Sequence, residues 1–314
     1  MKILFVVHRT YPFNGGSEYN VKLITESLVK NGYDVTILTE HGKDYNGVKI
    51  TFDKNKLFSD EYRWVVIHGS DMPTQDFALQ NILNIKAKTL YWMIKPSFSE
   101  TSKLGFKNST QIGWGTTFDQ KHLYTNYGNE IFKKCRYIRY AFDENDCFGK
   151  KLYNQKINKQ IISCGGFAEH KGFDEIIEIF QELNLKNCKL ILTGYIGTPP
   201  PCSDNIDVKL IESRHEYLNI LSNSDLYIMN SYNEGFGLVL YDAMVNKIPW
   251  ISRNTVPAAY DMSMFGKLYN SKEELKTLLQ SYIPENNTIE RGYEYIINNY
   301  SINHMTKDFM SILF

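Results

Sequence analysis

The chain has 314 residues, more than one ordinary hydrophobic core holds and enough for two domains of about 150 residues. Hydrophobic residues make up 43% and charged residues 22%, the balance of a folded globular protein rather than a disordered chain. Lys plus Arg number 35 and Asp plus Glu number 35, so no net field draws the protein to nucleic acid or to an anionic surface, and no nucleic-acid partner is expected.

The first element is Lys2-Ile3-Leu4-Phe5-Val6-Val7, a continuous apolar strand of the kind buried on both faces. It is too short for a secretion signal, and His8-Arg9-Thr10 interrupts it before any cleavage site. A loop with Pro12, Asn14, Gly15 and Gly16 follows, then a helix opening at Ser17-Glu18 with Val21, Ile24 and Leu28 on one face. Asn31-Gly32 ends that helix, and Asp34 to Thr39 reads as the next strand. Strand, helix and strand in so few residues form a βαβ unit and therefore a parallel sheet. Further strands are expected at Trp64 to His68, Lys88 to Trp92, Ile112 to Trp114 and Tyr137 to Arg139; the helices between them are not placed.

Around residues 143 to 158 the chain turns polar, with Asp143-Glu144-Asn145-Asp146 and Gly149-Lys150-Lys151, the composition of a linker. The same grammar then restarts. Gln160 to Cys164 is a strand, Gly165-Gly166 a turn, and Phe173 to Leu183 a helix with Ile176, Ile177, Ile179 and Phe180 toward the core. Strands at Lys189 to Thr193, Asp207 to Ile211, Asp225 to Met229 and Pro249 to Ser252 follow, with a helix near Leu238 to Asn246. The segment Ile289 to Phe314 reads as helical. Two Rossmann-like halves imply a crevice at the carboxyl ends of the strands, where open α/β sheets take their ligands.

No apolar run approaches the roughly 20 residues needed to span a bilayer, so at most peripheral membrane contact is expected. The five cysteines, Cys135, Cys147, Cys164, Cys188 and Cys202, are odd in number and lack CxxC or Cys/His metal spacing. Buried free thiols and a cytoplasmic location are the expectation.

The most informative stretch is Ser231-Tyr232-Asn233-Glu234-Gly235-Phe236-Gly237-Leu238, continuing to Tyr241-Asp242-Ala243-Met244. It follows a strand and opens a helix, where exposed amides attract phosphate and glycines let a ligand come close. Glu234 is a carboxylate suited to sugar hydroxyls, and Asp242 lies eight residues later.

This stretch resembles the Glu-x7-Glu signature of retaining GT-B glycosyltransferases, especially glycosyltransferase family 4 (glycosyl transferases group 1), with Asp242 in place of the second Glu. Gly15-Gly16-Ser17-Glu18 resembles that family's first glycine loop, Gly165 to Gly172 its G-R-L-x-x-x-K-G segment, and Tyr140-Ala141-Phe142-Asp143 a degraded N-G-I-D before the linker. The resemblance implies a GT-B fold, two Rossmann-like α/β domains facing each other across a cleft: residues 1–150 on the acceptor side, 151–285 on the nucleotide-sugar donor side. Residues 286–314 would be C-terminal helices that cross back in such folds, the alternative being an ordinary helix on the second sheet.

By the same resemblance, Glu234 and Lys171 are the catalytic candidates. Glu234 would contact donor-sugar hydroxyls, and Lys171 would pair with the diphosphate. Asp242 would hold the nucleotide ribose, while Gly16, Gly235 and the amides of Phe236, Gly237 and Leu238 would face the sugar and phosphates. The implied donor is a UDP- or GDP-sugar and the acceptor a glycan or lipid-linked molecule, with retention at the anomeric carbon. No metal or other cofactor is expected, since the sequence has no Asp-x-Asp cluster suited to one.

The chain also departs from the pattern. The family's Arg is replaced by Gly166, with Arg214 and Arg253 as candidate substitutes, and its N-terminal histidine has only Lys95 or His68 near the expected place. Trp92, Trp114 and Phe118 are candidates to line an acceptor cleft. Taken singly, Gly15-Gly16 reads as a tight turn, Lys171 as a solvated lysine, Glu234 as a helix-capping acid and Asp242 as a surface acid; their joint occurrence in order favours the site. Three competing functions share parts of this pattern. A dinucleotide oxidoreductase lacks its G-x-G-x-x-G fingerprint, a nucleotide-sugar epimerase shares the fold, and a non-catalytic GT-B scaffold would have lost donor binding.

Overall fold

The computed structural model describes residues 1–13, 15–95, 97–147, 159–201, 204–281 and 283–314. The chain forms two compact units, Met1–Ala141 with Tyr300–Phe314, and Phe142–Asn299. The expected boundary between residues 150 and 151, the Gly149-Lys151 part of the linker, and Cys202 lie outside the described residues.

In the first unit, β1 (Lys2–Val6), β2 (Asp34–Leu38), β3 (Lys49–Thr51), β4 (Trp64–His68), β5 (Lys88–Trp92), β6 (Gln111–Trp114) and β7 (Cys135–Tyr137) form one sheet. Its order is β3-β2-β1-β4-β5-β6-β7, with every pairing parallel. The central strands β1 and β4 are near-continuous apolar runs because helices cover both faces; the edges are short and more polar. Helices α1 (Gly16–Lys30), α2 (Pro73–Gln80), α3 (Glu100–Asn108) and α4 (Thr117–Phe132) connect the strands. The last strand lies two residues earlier than the sequence suggests. The amide and guanidinium of Arg139 are taken instead by Asp308, with Nε–Oδ2 and Nη2–Oδ1 both at 2.7 Å, so the ladder stops at Tyr137.

The second unit contains β8 (Lys159–Cys164), β9 (Cys188–Gly194), β10 (Ile206–Leu210), β11 (Leu226–Met229), β12 (Trp250–Arg253) and β13 (Lys267–Tyr269). They form a parallel sheet in the order β10-β9-β8-β11-β12-β13. Helices α5 (Phe173–Leu183), α6 (Arg214–Ser222), α7 (Val239–Val245), α8 (Pro257–Asp261), α9 (Lys272–Ser281) and α10 (Asn286–Asn299) accompany it. The residues expected to face the core from α5 are buried.

The helical tail is not continuous. Asn298-Asn299 are weak helix formers, and Ser301, in extended conformation, precedes a new helix, α11 (Ile302–Leu313), which belongs to the first unit. There Ser27 and Thr306 hydroxyls meet at 2.7 Å, Trp64 Nε1 donates to the Leu313 carbonyl at 3.0 Å, and Phe309 packs on Phe5 and Trp92.

Trp92 is fully buried, stacked between His68 and Tyr140, and so cannot line an acceptor surface. Trp114 packs on Tyr137, while Phe118 is exposed. His68 is equally part of the core: its Nδ1–H donates to the Trp92 carbonyl at 3.2 Å, and burial drives its pKa down to about 3. The folded state therefore keeps His68 neutral where the unfolded chain, with a pKa near 6.5, takes up a proton. Stability should fall as pH drops from about 6.5 toward 3, by up to about 1.4 kcal/mol per pH unit from this group. In urea titrations at pH 7 and pH 5, a His68→Gln variant is expected to lose less stability than the parent. Equal losses would contradict this account.

The four described cysteines carry free thiols, but none is fully buried as expected: Cys135, Cys164 and Cys188 are half-buried and Cys147 is exposed. Among the described residues, no helix is long and apolar enough to cross a membrane.

Candidate active site

The second unit gathers most of the sequence candidates at the carboxyl ends of β8, β11 and β12. After β8 the chain turns through Gly165-Gly166 and makes one tight turn at Glu169–Lys171. Gly172 then takes a left-handed conformation with φ +66°. A Cβ there would lie 2.6 Å from Asn230 Nδ2 and 2.7 Å from the Asn230 carbonyl, so only glycine fits. Asn230 Nδ2 donates to the Gly172 carbonyl at 2.8 Å, and the Tyr232 amide donates to the His170 carbonyl at 2.8 Å. These two bonds stitch the Lys171 loop to the segment that follows β11.

Across that seam, Lys171 Nζ donates to Glu234 Oε2 at 2.5 Å, with the two side chains only 15% and 16% exposed. The lysine stem runs past Gly165, where a Cβ would meet its Cδ and Cε at 3.1 Å. Two sequence candidates that lie 63 residues apart are thus one ion pair. Gly172→Ala is expected to destabilise the protein by about 1–3 kcal/mol through steric conflict and backbone strain. Chemical denaturation checks it, and wild-type stability in that variant would contradict the packing described.

The chain from Glu234 to Leu238 is a loop, and α7 begins only at Val239. The eight-residue spacing of Glu234 and Asp242 therefore spans a loop and the first turn of α7. Gly237, at φ +102°, has Val256 Cγ1 2.7 Å and Met229 Cε 3.2 Å from a built Cβ. The Phe236 ring is an anchor, buried edge-on against Tyr241 at 5.2 Å, and its carbonyl accepts from the Ala258 amide at 2.9 Å. Gly235 and Leu238 are half-buried beside it.

Asp242 is not a surface acid: it is 4% exposed on α7. Both its oxygens accept from Arg214, at 2.6 Å from Nη2 and 3.3 Å from Nη1, and Arg214 Nε donates to Asp146 at 2.7 Å. Burial raises the Asp242 carboxyl above its ordinary range, and the guanidinium acts against that rise. Arg253 is held elsewhere. It pairs with Glu175, donates to Asn230 Oδ1 at 3.1 Å and lies over the rings of Tyr232 and Tyr269 at 4.7 and 5.3 Å. At Gly166, a Cβ would already meet Ile196 Cγ2 at 3.0 Å.

Gly16 is in the other unit, exposed at the first position of α1. Nearby, Arg9 pairs with Glu18, whose other oxygen accepts from Ser17 Oγ at 3.0 Å. Among the described residues, no group of three or more His, Cys, Asp or Glu side chains is placed to hold a metal ion.

The sequence reading missed the Arg214–Asp242 pair and the Asn230 hub. Arg214 did carry a signal. Ser213-Arg214-His215-Glu216 is a helix-start pattern, and the Ser213 hydroxyl does accept from the Glu216 amide at 3.1 Å. That pattern locates Arg214 on a helix start but says nothing of its partner. Asn230 had none.

Comparison with known proteins bears on this geometry. Residues 148–267 match the family model for glycosyl transferases group 1. A relative from Haemophilus influenzae, described as an uncharacterized glycosyltransferase, is 24% identical over 91% of this chain and 87% of its own length. Among solved structures, Anabaena HepE in complex with UDP-glucose aligns with a TM-score of 0.78 at 13% identity, covering 100% of this chain and 99% of its own. Sucrose-phosphate synthase from Thermosynechococcus elongatus aligns with a TM-score of 0.78 at 14% identity, covering 99% and 98%. The chain has the fold of these proteins, GT-B, and the family and relative matches support a glycosyltransferase.

Proposed function

We propose that this protein transfers a sugar from a nucleotide-sugar donor, with Lys171 and Glu234 at the reacting end of the donor. The observation that carries this reading is their ion pair, held on two stitched loops at the strand ends of the second unit. In the transfer, the bond between the anomeric carbon and the diphosphate oxygen breaks, and the acceptor hydroxyl oxygen bonds to that carbon and gives up its proton. Negative charge grows on the departing nucleoside diphosphate and positive charge on the sugar ring. Lys171 is suited to the first charge, and Glu234 to sugar hydroxyls beside the second. Fixed groups aimed at developing charge lower the barrier more than they strengthen ground-state binding.

The donor unit in this reading is the second one and the acceptor unit the first. The UDP-glucose bound by HepE favours a UDP-sugar among possible donors, and a glycan or lipid-linked molecule is the proposed acceptor. Retention of anomeric configuration follows the resemblance of the Glu234–Asp242 segment. Lysine and backbone amides at the diphosphate make a metal unnecessary in this scheme, and a cytoplasmic setting accords with free thiols.

The test is nucleoside diphosphate release from a panel of sugar nucleotides with candidate glycan acceptors, the product's anomeric configuration being read by NMR. EDTA is expected to leave the rate unchanged. A rate abolished by EDTA and restored by Mg²⁺ or Mn²⁺ would overturn the metal-independent scheme. An inverted product would overturn retention.

A further inference from the structure

The Lys171 and Glu234 loops emerge where backbone pairing has already ended. Strand β8 runs to Cys164 and β11 to Met229, yet among the described residues the ladder between them joins Leu226 to Ile161 and Tyr227 to Ile162 and goes no further. Asn230, the first residue past β11 and 1% exposed, takes over the pairing. Its Nδ2 donates to the Gly172 carbonyl at 2.8 Å, and two residues on, the Tyr232 amide donates to the His170 carbonyl at 2.8 Å. The carbonyls on both sides of Lys171 are thus held from residues 230 and 232, and Glu234 of the same segment supplies the lysine's carboxylate partner.

A side-chain amide can be turned end for end, so its use depends on what fixes its direction. Asn230 Oδ1 accepts from Arg253 Nε at 3.1 Å and from the Tyr269 hydroxyl. Those two donors are the last residues of β12 and β13, and they are register partners across that pair of strands. Turned the other way, the amide nitrogen would face two donors and its oxygen would face the Gly172 carbonyl. One orientation satisfies all three bonds. Arg253 is fixed in turn by Glu175, on the first turn of α5, and by the rings of Tyr232 and Tyr269. Its charge is matched by Glu175 and its Nε is taken by the amide, so this arginine serves the hub.

We propose that Asn230 is a positioning residue for sugar transfer. It carries the geometry of the β12 and β13 ends across β11 to the Lys171 loop, and so sets where the lysine charge stands. Arg253 and Tyr269 act one step further back, by orienting the Asn230 amide. The assignment rests on the sugar-transfer reading above.

Asn230→Asp tests it on the full chain, since aspartate keeps the shape and the oxygen facing Arg253 and Tyr269 but sets its other oxygen against the Gly172 carbonyl. Two readouts apply. In competitive acetylation followed by mass spectrometry, labelling of Lys171 relative to Lys189, a half-exposed lysine of the same unit, is expected to rise at least about threefold as the loop is released. In transfer from the donor that the parent uses best, kcat/KM is expected to fall at least about tenfold, mostly in kcat. In a Lys171→Ala background the same change should cost less than about twofold, because both act through one side chain. A new charge that only repelled the diphosphate would cost as much in either background. Ile206→Val, a core change at the amino end of β10, should move neither readout. Tyr269→Phe removes one orienting donor and no atom of the loop, so it serves if the aspartate variant does not fold; it should shift both readouts the same way by about twofold or more. Thermal melts confirm which variants fold. Unchanged Lys171 labelling in folded Asn230→Asp, or equal losses of transfer in the two backgrounds, would overturn the role of Asn230 and leave the sugar-transfer reading standing. Wild-type behaviour of Tyr269→Phe beside an unfolded aspartate variant would do the same. A parent that transfers no sugar from any donor would overturn both.

Discussion

Replacing Glu234 by alanine is expected to lower sugar transfer at least about a hundredfold, with a smaller effect on binding of the nucleoside diphosphate itself. The basis is the position of this carboxylate. It is mostly buried, fixed by Lys171 at 2.5 Å, and carried on a loop whose path is set by Gly237, by Ala258 bonding the Phe236 carbonyl and by the Phe236 ring beneath. A preorganised group aimed at developing charge contributes about 2.7–4 kcal/mol when probed by deletion, which is the scale of the expected loss. Alanine also removes the partner of a poorly solvated lysine, so Glu234→Gln is the necessary companion. It keeps the shape and a hydrogen-bond acceptor for Lys171 but not the charge. If the carboxylate charge matters for the reaction, both variants fall in kcat while donor Kd moves little. Turnover at the wild-type level in a folded Glu234→Ala variant would remove Glu234 from the reaction.

Lys171→Ala is expected to fall on both sides of the measurement, weakening donor binding and slowing the chemical step. The lysine has two roles in the proposed scheme, attracting the diphosphate in the ground state and carrying more of the burden as the sugar departs and negative charge accumulates. The combined loss in kcat/KM should reach about a hundredfold or more. Lys171→Arg discriminates between a requirement for charge and one for shape. A bulkier planar cation has to pass Gly165, where the lysine stem already approaches a built Cβ to 3.1 Å, so partial rescue at most is expected. Affinity and rate both at wild type in Lys171→Ala would show that the diphosphate contacts something else.

Much of this architecture was legible in the chain itself. Strands such as Trp64–His68 and Lys88–Trp92 are apolar runs bounded by loops, and Phe173–Leu183 announces its buried face through Ile176, Ile179 and Phe180. The three-residue edge strands β3 and β13 carried too little pattern to be seen. Helix α4 was obscured for a different reason: of its residues only Asp119 and Leu123 are buried, so its sequence has almost no apolar face. The break at Tyr300–Ser301 shows what periodicity does not reveal, since α10 and α11 are both amphipathic yet serve different units.

At the site, the residues were legible and their pairings were not. Sequence order put Lys171, Glu234 and Asp242 on strand–loop–helix junctions, but whether any two of them meet depends on the sheet order that places β8 beside β11. Asn230 illustrates the limit. An asparagine after a strand has many ordinary uses, and only the folded chain shows it bonding the Gly172 carbonyl while accepting from Arg253 and Tyr269. Asp242 and Arg214 were each singled out in the sequence, Asp242 as a donor-site acid and Arg214 as a substitute for the missing arginine, but only burial in the folded chain pairs the one with the other.

The central claim, that the second unit is a nucleotide-sugar donor site, is tested most directly by thermal-shift titration of the purified protein with UDP-, GDP-, ADP- and CMP-sugars, with and without EDTA. A ligand that binds only the folded state must raise the melting temperature, because at free concentration L it stabilises that state by RT ln(1 + L/Kd). The account predicts a dose-dependent rise with one nucleotide family, unchanged by EDTA and lost in Lys171→Ala. No rise with any of them at millimolar concentration would contradict it.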